Sequence, residues 1–393
     1  MKLLHLADLH IGKRVYEYSM LEEQKHVLKQ AFRMAKEHSV DGVLIAGDVY
    51  DKTIPTVEGV KLFDTFLTAL KEKQIPTFVI SGNHDSAERL SFGWHLFENA
   101  EIFLSGTYED EILKKTLTDE FGEVDIYLLP FLKPQQIEVA DGEEKPQDYT
   151  EAVKLVLSRL NINKNNRNVL LAHQFVGGGS AAPERTDSET QSVGGVDMVD
   201  YRVFDDFDYV ALGHLHGAQH VGRETVRYAG SPVKYSFSEA RQVKSETLIT
   251  LGEKKAGIGT GENCTCNIDI SIEKLPFTPL HDMREIKGSL EQLTSPEVLA
   301  MSDCQDYMHI TLTDDEEIYD VFGKLRAVYP NLMALDFDNA RTRAEGAVAL
   351  TGEIMKEKSV LELFGEFFEQ QTGNSLTPMQ EQILTDIMED NIE

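Results

Sequence analysis

Short apolar runs alternating with amphipathic stretches set the rhythm of the first 250 residues. The segment Lys2–Ala7 predicts a short strand, and Val43–Ala46 and Thr77–Ile80 predict two buried ones. Between them, residues 20–37 carry Val27, Leu28, Ala31, Phe32 and Ala35 on one helical face. Residues 57–73 repeat the pattern with Val60, Phe63, Leu67 and Leu70. Further strands are expected at Ile126–Leu129, Asn168–Ala172, Tyr209–Leu212 and Thr247–Leu251, with a helix over 150–160. This early βαβαβ alternation, followed by more strands, predicts an α/β (α+β) two-sheet sandwich flanked by helices.

The pattern changes after residue 251. The Gly-rich stretch 252–266 reads as the turn of a long hairpin, because Ile268, Ile270 and Ile272 alternate as a returning strand. Pro276-Phe-Thr-Pro279 reads as a linker. From about 280 to 350 the order is strand Met283–Lys287, helix 289–301, strand Tyr307–Leu312, helix 315–328 and strand Leu332–Phe337, a small α+β unit. The tail predicts two amphipathic helices, one opened by Ser359-x-x-Glu362 and the other by Thr377-Pro378. Two such helices cannot be stable against each other alone. They dock either on their own chain or in a partner's apolar groove.

Size and composition narrow the class. At 393 residues two or three domains are expected, and an apolar share of 41% is that of a soluble globular protein. No apolar run reaches the ~18 residues of a membrane span, and the first segment turns polar too early for a signal peptide. Three cysteines, Cys264, Cys266 and Cys304, are too few for a disulfide framework, so the cytoplasm is the expected compartment. The net charge of −29 excludes a broadly basic DNA-coating protein. The acid is unevenly spread, however. Residues 1–100 hold 12 Lys+Arg against 14 Asp+Glu, residues 101–150 hold 4 against 13, and residues 361–393 hold 0 against 8. An enzyme with a local anionic substrate site is compatible with that distribution.

The candidate chemistry stands at the strand ends. After Lys2–Ala7 comes Asp8-Leu-His10, and after Val43–Ala46 comes Gly47-Asp48-Val-Tyr-Asp51. After Thr77–Ile80 comes Ser-Gly82-Asn83-His84-Asp85, and after Val169–Ala172 comes His173. After Tyr209–Leu212 comes Gly213-His214-Leu-His216. Any one of these reads equally well as a turn, a cap or a satisfied core residue; Asp85 with Glu88 looks like a helix cap with a capping box. Five in the same setting do not, because the carboxyl ends of strands in α/β sheets are where sites form. Glycine before three of the ligand-type residues permits a tight turn aimed at a shared point. Mixed carboxylate, imidazole and amide donors suit Mn²⁺, Fe²⁺ or Zn²⁺ better than Mg²⁺ or Ca²⁺. A carboxylate such as Asp48 is able to bridge two ions ~3.5–4 Å apart, the spacing of two-metal hydrolytic sites.

This ordered set, D-x-H, G-D-x-x-D, G-N-H-D, a lone His and G-H-x-H, resembles the calcineurin-like metallophosphoesterase superfamily over roughly the first 220 residues. The resemblance implies that Asp8, His10, Asp48 and His216 hold one metal. It implies that Asp48, Asn83, His173 and His214 hold the other. His84 is then a catalytic residue at the scissile phosphate and Asp85 its support.

A second segment, 229-AGSPVKYSFSEA-240, resembles the signature of the nuclease subunits of SbcCD-type exonucleases. Lys52 after Asp51, where Ser/Thr protein phosphatases carry Arg-Gly, weakens a resemblance to those phosphatases. The resemblance implies a Mn²⁺-dependent DNA nuclease, a 3′→5′ exonuclease on duplex ends and an endonuclease on single strands and hairpins. It implies a homodimer joined to two SbcC-like coiled-coil ATPase subunits, with no membrane association. The chain would divide into a metallophosphoesterase nuclease domain (1–277), a capping or DNA-binding domain (278–350) and a C-terminal helical segment gripping the ATPase (351–393). Lys13, Arg14, Arg89, Arg185 and Lys234 lie near the motifs as candidate phosphate contacts, Arg14 and Lys234 foremost. No role is evident for the stretch from Gly177 to Tyr201. The rival reading is a small-molecule phosphodiesterase or phosphatase of the same superfamily.

Overall fold

The computed structural model describes residues 1–139, 144–178, 183–189, 197–255, 267–301, 303–316 and 318–339, with isolated positions between 364 and 380. The hairpin turn with Cys264 and Cys266, the boundary at 350/351 and most of the two tail helices lie outside the described residues.

Two six-stranded sheets carry the first unit. One runs in the order Asn267–Pro276, Ser245–Lys255, Lys2–Leu6, Gly42–Ala46, Thr77–Ile80 and Ile102–Ser105. Its last four strands are parallel, and Ser245–Lys255 returns antiparallel beside Lys2–Leu6. The other runs His220–Val221, Arg223–Tyr228, Tyr209–Gly213, Arg167–His173, Gly122–Leu129 and Leu113–Asp119, with four parallel strands at its centre.

The parallel strands are apolar on both faces because both faces are covered. Leu3, Leu44, Phe78, Ile80 from the first sheet and Ile126, Leu128, Val169, Leu171, Ala211 from the second form the core between the sheets. The helices Leu21–Glu37 and Val57–Glu72 close the outer face of the first sheet through Val27, Leu28, Ala31, Phe63 and Leu67. The helix Tyr149–Ser158 closes the outer face of the second through Val153 and Val156. The two-sheet sandwich flanked by helices is therefore the fold. Among the described residues no helix is long and apolar enough to cross a membrane.

Among the described residues, three strands of four residues or more were not legible in the sequence: Ile102–Ser105, Leu113–Asp119 and Arg223–Tyr228. Two shortened helices correct the expected pattern further along. The helix expected over 289–301 is two pieces, Leu290–Leu293 and Pro296–Met301. Pro296 lacks an N–H and disfavours helical geometry at Ser295. The helix expected over 315–328 spans only Val321–Arg326, because Asp320 (φ 47°) takes the N-cap and accepts from the N–H of Gly323.

The chain divides into two compact units. One comprises Met1–Glu285 with 303–309 and 329–334; the other comprises 286–302, 310–328 and 335–393. The strands Met283–Gly288, Tyr307–Leu312 and Leu332–Phe337 form a three-stranded sheet in that order.

Candidate metal centre

The loops that follow the parallel strands of both sheets meet at one place. The loop after Lys2–Leu6 is laced to the loop after Gly42–Ala46: Asp8 N–H donates to Gly47 O at 3.1 Å and His10 N–H to Asp48 O at 2.9 Å. The second sheet is tied in by His214 N–H, which donates to Asp8 Oδ1 at 2.9 Å. Ala7, Ala46 and Ala229 lie together beneath, and their small side chains let the three loops approach.

The glycines before the ligand-type residues act mainly through space. A Cβ on Gly82 would stand 2.1 Å from Asp48 Oδ1, and one on Gly213 would stand 1.9 Å from Ala46 O. Of the three, only Gly47 also has a positive φ, +87°. The strain falls instead on the ligand-type residues themselves: Asp8, His10, Asp48 and His214 all have positive φ, between 42° and 108°. Left-handed backbone at non-glycine residues costs roughly 1 kcal/mol or more each and gathers at functional sites.

The side chains expected to act together are brought together. His10 Nε2 and His216 Nε2 face each other at 3.0 Å, with Asp48 Oδ2 at 3.6 Å from His10. On the other side of the same oxygen, His173 Nε2 stands 3.4 Å from Asp48 Oδ2. Asn83 Oδ1 lies 3.0 Å from both His173 Nε2 and His214 Nδ1. Asp8, His10 and His216 offer donor atoms within 4.8 Å of one another, and so do Asp8, Asp48 and His173.

The donor chemistry asks for cations. Asp8 Oδ2 is buried without a hydrogen-bond partner. His173 spends its Nδ1–H on Ala46 O at 2.8 Å, which leaves Nε2 as the ring atom facing Asp48 Oδ2 and Asn83 Oδ1. Burial pulls the His173 imidazole down, but Asp48 and Asp8 beside it outweigh this and lift it to about 9. Burial raises the Asp48 carboxyl, and His173, His10 and His84 outweigh it and hold the group below the usual carboxylate range. Burial pushes the Asp8 carboxyl up, and it pulls the rings of His10 and His214 down, His214 to about 3. An unpartnered buried carboxylate oxygen beside clustered imidazoles and a second carboxylate is a residue set that divalent metals fit.

Three expectations are corrected. His84 is steered by Asp51, not Asp85: His84 Nδ1 donates to Asp51 O at 3.0 Å and His84 N–H to Asp48 Oδ1 at 2.8 Å. Asp85 takes the main-chain N–H groups of Val49 at 3.0 Å, Tyr50 at 2.9 Å and Gly82 at 2.9 Å, and so staples two ligand loops together. Nor does Asp85 cap a helix; Ser86 holds the N-cap position of Ala87–Leu90. Lys234 is committed inside the protein, donating to Ala240 O at 2.6 Å and Asp282 Oδ1 at 2.7 Å.

Of the other basic candidates, Lys13 pairs with Asp51 at 2.8 Å and Arg14 is exposed beside Glu17. Arg185 lies flat over Phe175 at 3.6 Å and, among the described residues, makes no hydrogen bond or ion pair.

Several supporting residues carried no ligand-type signal. Gln24 Nε2 donates to His10 O at 2.7 Å and its Oε1 accepts from Gly12 N–H at 2.9 Å, fixing the first loop. Tyr235 Oη donates to Leu9 O at 2.5 Å, and its ring packs edge-on against both His10 and His216. Tyr235 and Glu239 both lie in the 229–240 segment, whose chemistry is thus support for the ligand loops.

The calcineurin-like phosphoesterase family profile matches residues 1–218, and a second profile, described as the type 5 capsule protein repressor C-terminal domain, matches 279–372. The chain is 30% identical over 389 residues to the SbcD subunit of nuclease SbcCD from Staphylococcus epidermidis, covering 97% of this chain and 96% of that one. The chain belongs to the SbcD family of calcineurin-like phosphoesterases. The protein of the same description from Staphylococcus saprophyticus is 30% identical over 404 residues, 99% of each chain. Among solved structures, a dimetal phosphatase from Danio rerio superposes with a TM-score of 0.42 at 12% identity, covering 70% of this chain and 96% of its own. As an SbcD-family member the chain is a metal-dependent phosphoesterase of the nuclease class, and divalent metals are its cofactors.

Proposed function

We propose that this SbcD-family chain is the nuclease subunit of an SbcCD-type complex and hydrolyses DNA phosphodiesters at two Mn²⁺ ions. The observation that carries the reading is Asp48 Oδ2, set between His10 Nε2 and His173 Nε2 at 3.6 and 3.4 Å, so that one carboxylate serves two donor sets. One ion would be held by Asp8, His10, Asp48 and His216, the other by Asp48, Asn83, His173 and His214. Bound there, the ions supply activation of water and neutralisation of phosphate charge.

The chain's own residues do the rest. His84, with Nδ1 tied to Asp51 O, keeps Nε2 for the substrate and protonates the leaving sugar oxygen. Arg185, held by the ring of Phe175 rather than by a carboxylate, offers its guanidinium fork to a substrate phosphate. The acidic balance of the chain supports a division of labour in which a coiled-coil ATPase of the SbcC type supplies much of the DNA grip. The assembly is then a homodimer of this chain with two ATPase subunits, acting in the cytoplasm in DNA repair, replication and recombination. Duplex ends are degraded 3′→5′, and single strands and hairpins are cut internally.

The test is a labelled DNA hairpin and a blunt duplex assayed with Mn²⁺ beside a chromogenic phosphodiester, with and without the ATPase. Cleavage of both DNAs, with duplex cleavage dependent on the ATPase, supports the reading. Hydrolysis of the small ester with no DNA cleavage, even in the complex, favours a small-molecule phosphodiesterase. Tight duplex binding by the isolated chain at physiological salt would overturn the division of labour.

A further inference from the structure

We infer that Ser188, anchored by Glu239, is a positioning residue for His216 and sets the affinity of one of the two metal positions, the one completed by Asp8 and His10. The inference rests on the two-metal reading above. Its basis is an uninterrupted chain of short contacts behind His216. Ser188 Oγ lies 2.6 Å from His216 Nδ1 and 2.5 Å from Glu239 Oε1. Glu239 is buried and its other oxygen pairs with Lys244 Nζ at 2.5 Å.

The direction of the hydrogen bonds follows from what each group is able to do. A carboxylate paired with an ammonium only accepts. The single hydroxyl hydrogen of Ser188 therefore goes to Glu239, and Ser188 Oγ accepts from His216 Nδ1–H. This fixes His216 as the tautomer whose Nε2 carries a lone pair, and that atom points at His10 Nε2, 3.0 Å away. A ring nitrogen so fixed by its distal hydrogen bond is both oriented and made a better donor. His10 Nδ1 makes no hydrogen bond, and the Asp51 carboxylate stands 3.8 Å from it.

The rest of the 186–189 segment holds the same residue. Glu189 Oε1 accepts His216 N–H at 2.7 Å, and Thr186 closes on Glu189 through its N–H and Oγ1, both at 3.1 Å. Thr186 Oγ1 also lies 2.9 Å from Ser188 Oγ. Lys244 Nζ donates to His216 O at 2.9 Å. His216 is thus gripped at its amide, its carbonyl and its ring. The ring of His173 is held by Ala46 O, and neither it nor Asn83 touches the 186–189 segment through any polar contact among the described residues. Part of the stretch from Gly177 to Tyr201, without evident purpose in the sequence, thereby acquires one.

The test is Mn²⁺ titration of the full chain by calorimetry, with electron paramagnetic resonance to follow coupling between the ions. Wild type binds two ions. Ser188→Ala should weaken one ion by about 10–100-fold and leave the other within about twofold, with the spin coupling lost at limiting Mn²⁺. Ser188→Thr, which keeps the hydroxyl, should restore both ions. The thermal midpoint of the metal-free variants should match wild type. Two ions bound by Ser188→Ala as in wild type, or both ions weakened equally, would overturn the inference alone. Fewer than two ions on wild type would overturn the two-metal reading and this inference with it.

Discussion

The imidazole of His84 is held by the main chain of Asp51, whose carbonyl oxygen lies 3.0 Å from Nδ1. Both residues flank the shared carboxylate: Asp51 follows it in the same loop, and His84 donates its own N–H to Asp48 Oδ1. His84 is thereby held beside His10 and Asp48 with its Nδ1 already bonded.

His84→Gln should lower the cleavage rate by about 100-fold or more while the number of metals per chain stays at two. Metal analysis of the purified variant beside a single-turnover assay checks this. Cleavage at the wild-type rate would remove His84 from the mechanism.

Asp85 behaves differently. Its carboxylate satisfies three main-chain N–H groups, and Asp85→Ala should cost at least about 3 kcal/mol of stability, since each buried donor left without a partner costs ~1–3 kcal/mol. Burial and the neighbouring Asp48 raise its carboxyl to about 6 despite those three donors. Chemical denaturation of the metal-free protein measures the loss. A variant of wild-type stability with a selective defect in His84 chemistry would return Asp85 to its expected role as support for His84.

Gly82→Ala should disturb both metal positions at once. The new Cβ meets Asp48 Oδ1 at 2.1 Å and Asp48 N at 2.4 Å, so the shared carboxylate must move. Bound metal per chain should fall below one in the variant at Mn²⁺ concentrations that fill wild type. Retention of two ions would show that the loop yields at no cost.

Glu246 offers a pH-dependent test of stability. It is fully buried opposite Leu275 on the strand Ser245–Lys255, and neither carboxylate oxygen has a partner. Burial raises its carboxyl well above the ordinary 4.5. Above pH 4.5 the unfolded chain releases this proton while the folded chain keeps it, so its contribution falls as pH rises. Glu246→Leu should stabilise the protein by roughly 1–3 kcal/mol near pH 8, and the gain should shrink toward pH 4.5. Thermal denaturation of both proteins across pH 5–8 gives the slope; a gain independent of pH would mean that Glu246 is ionised when folded.

Arg185→Ala should raise the KM for a DNA hairpin by about 10-fold with a smaller change in kcat, and should reduce the salt dependence of binding by about one phosphate contact. Phe175→Leu should move both in the same direction by less, because the ring at 3.6 Å supports the guanidinium and bears no charge itself. Unchanged salt dependence in Arg185→Ala would exclude the contact.

The sequence by itself determined the layered fold and the set of residues that gather at its centre. Strands such as Thr77–Ile80 and Tyr307–Leu312 are dense, local, apolar runs, and the ends of the parallel strands are marked by ligand-type residues that few other purposes explain. What remained illegible was short or half-exposed. Leu113–Asp119 alternates partly buried and exposed residues with two lysines at a sheet edge, and Ile102–Ser105 is too brief to separate from a loop.

Only the tertiary structure decided who supports whom. Asp85 follows His84 in the chain, yet its carboxylate is turned away from that ring, because the amides of Val49 and Tyr50 in the Asp48 loop and of Gly82 in its own loop need an acceptor. Ser188 carries no signal of its own, Glu239 is one residue of the 229–240 segment with no role legible there, and the two meet behind His216 only after distant segments fold together. Hydrophobic periodicity is a property of neighbouring residues and survives reading one residue at a time. A hydrogen-bond partner 28 or 51 positions away is fixed by packing, and no local pattern records it.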